Sequence, residues 1–393
     1  MKTIWIEGPE TAGLIHTLSN GFKDKGYNVI TFADKNPFYD YKYNLNQNSF
    51  IADLISNRLI NYPKVTNAVI ILINKFFPNK RKKFLKKIQL KILRKVDFYI
   101  PIYSTFFINE KDFESIVKYK TKIIGYFLGS EIRIYSVFCK QFNVPTEAFK
   151  DYLNEESFEN KLKKIRIFER FAHCIFSVPD QMSMAAQPYF HLQLPFDVSK
   201  FIFKINSREI PIILHCPSNS NAKGSDIIVK VVNELKKEGY KFEFKYIKNI
   251  QHNDLLNELS NADILLDELF ANGPGLLSFE AMASGCVSLT RYFNESPECF
   301  QPPVISVDSN NLKDKLKDVL LNKEKTTELI IKGREYLLLN NTLKKVIHDM
   351  CIKMEMNKNE LATLKYDYLP DFNLTYNNYL TPEQKTIVDK ITF

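Results

Sequence analysis

The feature that most constrains this chain is the alternation of strand-like and helix-like segments along nearly its whole length. Parallel strands cannot be joined by a tight turn, so each pair needs a crossover, and a helix supplies it. The first unit is plain. Residues 3–6 favour a strand, and residues 8–13 (Gly-Pro-Glu-Thr-Ala-Gly) read as a turn. Leu14, Ile15, Leu18 and Phe22 then recur at helical spacing, and Lys25-Gly26-Tyr27 stops that helix before a second strand at 28–32. Further strand-like runs at 98–103, 122–127, 174–178 and 191–194 alternate with helical stretches, which predicts a doubly wound sheet.

The pattern lapses into polar and charged residues at 195–209 and then begins again. Strands are expected at 211–216, 242–247, 263–267 and 287–290, with helices at 224–237, 253–259 and 276–284 between them. Ile227, Ile228, Val231, Val232 and Leu235 place one apolar stripe on the first of these helices. The predicted fold is therefore α/β, with two Rossmann-like doubly wound domains facing each other across a cleft. The expected boundaries are 1–200 and 208–345, followed by a helix end and an irregular tail at 346–393. That tail, rich in Tyr, Asn and Pro from 359 onward, shows no periodicity and is expected to wrap the surface.

Composition adds limits rather than a fold. Apolar residues at 45% and charged residues at 25% suffice for a buried core and exclude disorder as the dominant state. The six cysteines form no Cys-x-x-Cys pair and read as buried, reduced thiols. Glu7 and Pro9 interrupt the N-terminal apolar run before a signal peptide could form, and no stretch approaches ~18 apolar residues. The expected location is cytoplasmic, free or peripheral on the inner face of the membrane.

Two stretches carry candidate chemistry. In residues 215–226 a strand ends in a polar loop containing Ser218, and Lys223-Gly224 opens the next helix. The first N–H groups of a helix lack partners and its dipole is positive there, so an anion is favoured, and a lysine adds a full charge suited to a diphosphate. A solvated surface lysine beside an ordinary cap is the plainer alternative. The second stretch is Asn272-Gly273-Pro274-Gly275-Leu276-Leu277-Ser278-Phe279-Glu280-Ala281-Met282-Ala283-Ser284-Gly285. Gly275 and the amides of Leu276 and Leu277 would face phosphate oxygens, and Glu280 lies about one turn further on, where a carboxylate accepts from vicinal hydroxyls.

Residues 212–289 resemble the donor domain of the retaining glycosyltransferases of the glycosyltransferase-B fold, often called glycosyltransferase group 1. The resemblance rests on Lys-Gly opening a helix, the turn Ile247-Lys248-Asn249-Ile250-Gln251-His252, Asn261-Ala262-Asp263-Ile264, and Glu-Ala-Met-Ala-x-Gly. In the N-terminal half it rests on the turn ending at Gly13 and on Gly129-Ser130-Glu131-Ile132-Arg133. It implies that Lys223 neutralises the donor diphosphate, Glu280 holds the ribose, and Gly275 with Leu276 and Leu277 binds phosphate or sugar. It implies further that Asn249 and Ile250 line the base pocket and that Gly13 faces the diphosphate. The family usually carries Glu where this chain has Asn272, Arg where it has Ser218, and His where it has Leu128. These departures concern the sugar and the charge at the diphosphate.

Glu131 and Arg133 follow the C-terminal end of a strand, where such folds place ligands, and are the acceptor-side candidates. No Asp-x-Asp and no His/Asp cluster suggests a metal, and no cofactor is expected because the nucleotide-sugar is itself a substrate. Residues 79–95 hold nine basic residues and no acidic one, with Phe84, Ile88 and Ile92 on one stripe, joined by Leu85 and Val96. Such a helix can lie on anionic lipid, which would suit a lipid-linked or surface-glycan acceptor, or simply pack by its stripe. Nucleic acid is not an expected partner. The alternatives to a retaining, metal-independent transferase are a non-catalytic partner subunit of the same fold and a sugar-nucleotide epimerase.

Overall fold

The computed structural model describes residues 1–10, 13–34, 78–102, 105, 109–178, 184–206, 208–292, 301–364 and 378–391, with the backbone alone at 78–82, 84 and 85. Cys299, Tyr103, the side chains of Phe84 and Leu85, and residues 365–377 of the expected tail lie outside the described residues.

Strands β1 (Thr3–Pro9), β2 (Asn28–Asp34), β3 (Phe98–Pro101), β4 (Lys122–Tyr126), β5 (Ala172–Ser177) and β6 (Phe190–His191) form one sheet in the order β2-β1-β3-β4-β5-β6. Strands β7 (Ile212–His215), β8 (Glu243–Tyr246), β9 (Ile264–Leu266), β10 (Val287–Thr290) and β11 (Ile305–Ser306) form a second, in the order β11-β10-β9-β7-β8. Every pairing between these strands is parallel. The two doubly wound sheets of the sequence prediction are present. β11 was not anticipated, because a two-residue edge strand carries no period.

Strand order reverses direction between β1 and β3 in the first sheet and between β7 and β9 in the second. At such a switch point the crossovers diverge to opposite faces and leave a crevice beyond the strands' carboxyl ends. Helix α1 (Leu14–Asp24) follows β1, α2 (Pro78–Leu93) precedes β3, and α3 (Phe158–Phe171) precedes β5. In the second layer α4 (Ser225–Lys237), α5 (His252–Asn261) and α6 (Leu276–Ser284) alternate with the strands. The stripe foreseen on α4 is buried at Ile228, Val231, Val232 and Leu235, each side chain contributing about 1.5–3 kcal/mol by leaving water.

The sheets are connected twice. The chain leaves β6 through residues 192–211, and after α7 (Lys323–Asn340) it returns with α8 (Leu343–Glu355), which packs on α1. Gly21 makes that contact close: a Cβ there would lie 2.5 Å from Ile347 Cγ1. The two connections touch each other, since Phe196 N–H donates to Asn341 O at 2.7 Å and Phe196 bridges to Thr342. The tail is less irregular than expected, because Pro382–Lys390 is a helix, capped by Thr381 and packed against α3.

One packing feature had no sequence signature. Tyr135, Phe138, Cys139, Val144, Ala148 and Phe149 precede β5, yet they share a core with Ile213, Ala222, Leu269, Phe270 and Ala271 of the second layer. The Arg291 guanidinium fastens this segment by donating to Phe142 O at 2.6 Å.

Helix α2 settles part of the question about the basic run. Ile88, Ile92, Leu93 and Val96 pack into the first core, and the Gln89 amide donates to the fully buried Glu7, which also accepts from Trp5 Nε1 at 2.9 Å. Lys83, Lys87, Lys91 and Lys95 stay exposed at four-residue spacing, so they share one face. Among the described residues no helix is long and apolar enough to cross a membrane.

Candidate active site

A cleft of about 420 Å³ lies between the sheets, lined by residues of both. Its second-layer wall is the switch point of that sheet. The loop after β7 brings Ser218, Asn219 and Lys223, and the loop after β9 brings Glu268 and residues 271–276. Its first-layer wall includes Leu14 and Thr17 of α1, Leu128, Gly129 and Arg133, His191 of β6, and the aromatic pair Tyr135 and Tyr152, stacked with ring centroids 4.8 Å apart.

Lys223 is held by a carboxylate that the sequence reading treated as a strand end. Its ammonium pairs with Asp267, whose side chain is 1% exposed, and Asp267 also accepts from Ser278 Oγ at 2.7 Å. Burial opposes the charge on Lys223, but the Asp267 and Glu268 carboxylates outweigh it and hold its pKa above the ordinary lysine value. The loop that carries Lys223 is pinned by His215, fully buried at the end of β7. Its Nδ1 lies 2.7 Å from Leu266 O, and its Nε2 lies 2.8 Å from Ser225 Oγ at the start of α4. Burial pushes His215 down to about 4. The neutral ring therefore donates from Nδ1 to the carbonyl and accepts at Nε2 from the serine.

Gly275 precedes α6 without any capping side chain, and the first turn contains no acidic residue. The amides of Leu276 and Leu277 are thus in the unpaired position of a helix start. Nothing lies within 4 Å of where a Cβ on Gly275 would project. Beside them Asn272 is 8% exposed and its Nδ2 has no partner. The loop is stapled by Arg291, whose carbonyl accepts from Gly273 N–H at 3.0 Å and whose side chain donates to Phe270 O at 3.3 Å.

Glu280 stands apart from the cleft lining. It is 4% exposed, and its Oε1 lies 2.7 Å from His252 Nε2 at the start of α5. It lies on α6 two residues after Ser278, which donates to Asp267. The Cys216 thiol that follows β7 is pushed up by burial, and Asp267 and Glu280 add to this against Lys223.

The hydrogen bond to Glu280 raises His252 above 6.5, against the effect of partial burial. A histidine whose folded value is raised contributes stability fully present below its unfolded value and lost as pH climbs through the folded one. The unfolding midpoint of the wild type is expected to fall relative to that of Glu280→Gln as pH rises from the ordinary histidine value of 6.5 through the raised folded one. Parallel curves for the two proteins would show that the pair does not form.

Of the remaining expectations, Ser218, Lys223, Asn272, Gly275, Leu276 and Arg133 come together at the cleft, while Leu277, Gly13, Asn249, Ile250 and Glu131 stand outside its lining. Gly13 adopts φ 74° before α1, and the Glu10 carboxylate already accepts from Ile15 and His16 N–H at 3.3 Å. Glu131 is buried and caps its own turn, accepting from Leu128 N–H and, at 2.7 Å, from Gly129 N–H. Asn249 is exposed with φ 55°. The sequence reading missed Asp267, Glu268, His215 and Arg291. A carboxylate ending a buried strand beside a lysine-bearing loop was the available signal for Asp267.

Two parallel sheets, their facing switch points and the double connection together define the glycosyltransferase-B fold, as the resemblance implied. Solved structures share it over the whole chain. TarM matches with a TM-score of 0.58 and 10% identity, covering 91% of this chain and 99% of its own. Sucrose-phosphate synthase from Thermosynechococcus elongatus matches at 0.56 with 13% identity, covering 93% and 100%. Anabaena HepE, solved in complex with UDP-glucose, matches at 0.52 with 11% identity, covering 93% and 100%. No protein-family model and no curated sequence matches the chain.

Proposed function

We propose that the chain is a retaining, metal-independent glycosyltransferase that moves a sugar from a nucleotide-sugar to a glycan or lipid-linked acceptor. The observation that carries this reading is the uncapped start of α6, opening onto the cleft beside Lys223 at the switch point of the second sheet. The donor's diphosphate would lie against the Leu276 and Leu277 amides and Lys223, with Ser218 at its edge. Asn272 would donate through Nδ2 to the sugar, and Glu280 would use Oε2 for the ribose while His252 holds Oε1. Asn249 and Ile250 would border the base, Gly13 would approach the diphosphate from the first layer, and Arg133 with Glu131 would order the acceptor side.

In the reaction the bond between the anomeric carbon and the β-phosphate oxygen breaks, and a bond to the acceptor oxygen forms on the same face. The acceptor's proton passes to the departing phosphate oxygen. Fixed donors at that oxygen stabilise the developing charge without reorganisation, each worth about 2.7–4 kcal/mol. The exposed row Lys83, Lys87, Lys91 and Lys95 would draw the protein to an anionic membrane surface carrying the acceptor, at about 1 kcal/mol per residue.

The pairing of Lys223 with Asp267 favours a second reading, a non-catalytic partner subunit, since that lysine's charge is already neutralised. Thermal shifts with UDP, GDP, ADP and CMP and their sugars, followed by a transfer assay, separate the two. The first reading expects one nucleotide to stabilise the protein and its sugar to be transferred, with Glu280→Gln weakening that nucleotide about tenfold or more. Binding without transfer to any glycan or lipid acceptor supports the second. A protein that ignores every nucleotide fits neither.

A further inference from the structure

We infer that Asn341, at the point where the chain returns from the second layer to the first, is a residue that binds the sugar of the donor through its Oδ1. The inference rests on the glycosyltransferase reading above. Asn341 is 3% exposed and belongs to the cleft wall. Its backbone carbonyl accepts from Phe196 N–H at 2.7 Å, and its Nδ2 donates to Leu194 O at 3.0 Å. One side chain thus ties the outgoing connection to the returning one. Its Oδ1, however, has no partner.

A buried polar atom without a hydrogen bond is uncommon, because the lost hydration is not recovered. Among the described residues of this cleft, such atoms include a complementary set, an acceptor on Asn341 and a donor on Asn272. A phosphate can satisfy only the donor. A hydroxyl can satisfy either. Leu194, whose carbonyl takes the Asn341 amide, lines the cleft with Leu276, Phe279 and Tyr336, and all four contribute to one apolar cluster. An apolar wall that also offers an amide oxygen suits a sugar ring, with its C–H face and its hydroxyls.

The test compares Asn341→Ala with Asn341→Asp. Aspartate keeps the acceptor oxygen and, held as the neutral acid by burial beside the Leu194 carbonyl, the donor as well, whereas alanine loses both. Dissociation constants are measured calorimetrically for UDP and GDP, and for UDP-glucose, UDP-N-acetylglucosamine and GDP-mannose. The factor that the sugar adds to nucleotide binding is taken for the donor the wild type binds best. Alanine is expected to reduce that factor about 3- to 10-fold while leaving the bare nucleotide unchanged, and aspartate to retain it. Equal effects of both variants on nucleotide and nucleotide-sugar would make Asn341 a connector only and overturn the inference. An unchanged sugar factor in alanine would do the same. If alanine does not fold, the near-isosteric Asn341→Leu takes its place, with the same loss of the sugar factor expected and an unchanged factor overturning the inference. A wild type that binds none of these nucleotides removes the transferase reading itself, an outcome distinct from the others.

Discussion

Replacing Lys223 with alanine is expected to lower the unfolding free energy by about 3–5 kcal/mol, measured by denaturant titration at neutral pH. The size follows from what remains rather than from what is lost. Asp267 is nearly inaccessible, and without the ammonium it keeps, among the described residues, only the Ser278 hydroxyl as a side-chain partner. A carboxylate stranded in that position retains its desolvation cost and loses its compensation. The double variant Lys223→Ala/Asp267→Asn should recover much of the loss, since the charge that made it costly is gone. If sugar transfer is the activity, both proteins should also transfer about 10²–10³-fold more slowly than the wild type, because one donor to the departing phosphate has been removed. Restored stability with slow transfer would separate the lysine's two roles. A single variant that unfolds at the wild-type midpoint would mean that the Lys223–Asp267 pair contributes nothing.

Gly285→Ala should be at least as damaging, costing about 3 kcal/mol or more in the same titration. Gly285 ends α6 at φ +95°, a backbone conformation that side chains disfavour. Its Cβ would lie 2.2 Å from Lys204 O, a backbone atom with no freedom to rotate away. The segment pressed against it belongs to the outgoing connection between the sheets. Relief of the clash therefore moves either α6, and with it the first turn that opens on the cleft, or the connection. Wild-type stability in this variant would show that the helix end and residue 204 are not in contact.

The alternation of periods made the two sheets legible, because fully buried parallel strands and amphipathic helices each imprint a repeat on the chain. β7 to β10 and the stripe of α4 fall where their patterns place them. That some candidate residues would share a cleft was legible as well: Lys223, Asn272, Gly275 and Leu276 are near in sequence to the strands that position them, and they line one cleft. What the sequence did not reveal was pairing at a distance. The carboxylate that ends residues 263–267 is visible in the sequence, but its position does not tell whether it or a diphosphate meets Lys223. Nothing around Asn341 marks it as part of the cleft, since it is brought there by the meeting of two connections far apart in sequence. Glu131 was read as an acceptor-side acid because it follows a strand; that its oxygens also satisfy the amides of Leu128 and Gly129 was not visible, because a short polar loop leaves no sequence mark of which amides need a partner.

The aromatic segment from Tyr135 to Phe149 has a practical corollary for dissecting the molecule. Cutting the chain in the 192–211 stretch would give a rear fragment whose Ile213, Ala222 and Leu269 have lost their covering rings, and a front fragment with Phe138 and Phe149 left bare. Neither piece ends where its oily interior ends. The halves, though each has its own sheet, are expected to be sticky in isolation and to be obtained in good form only when made together.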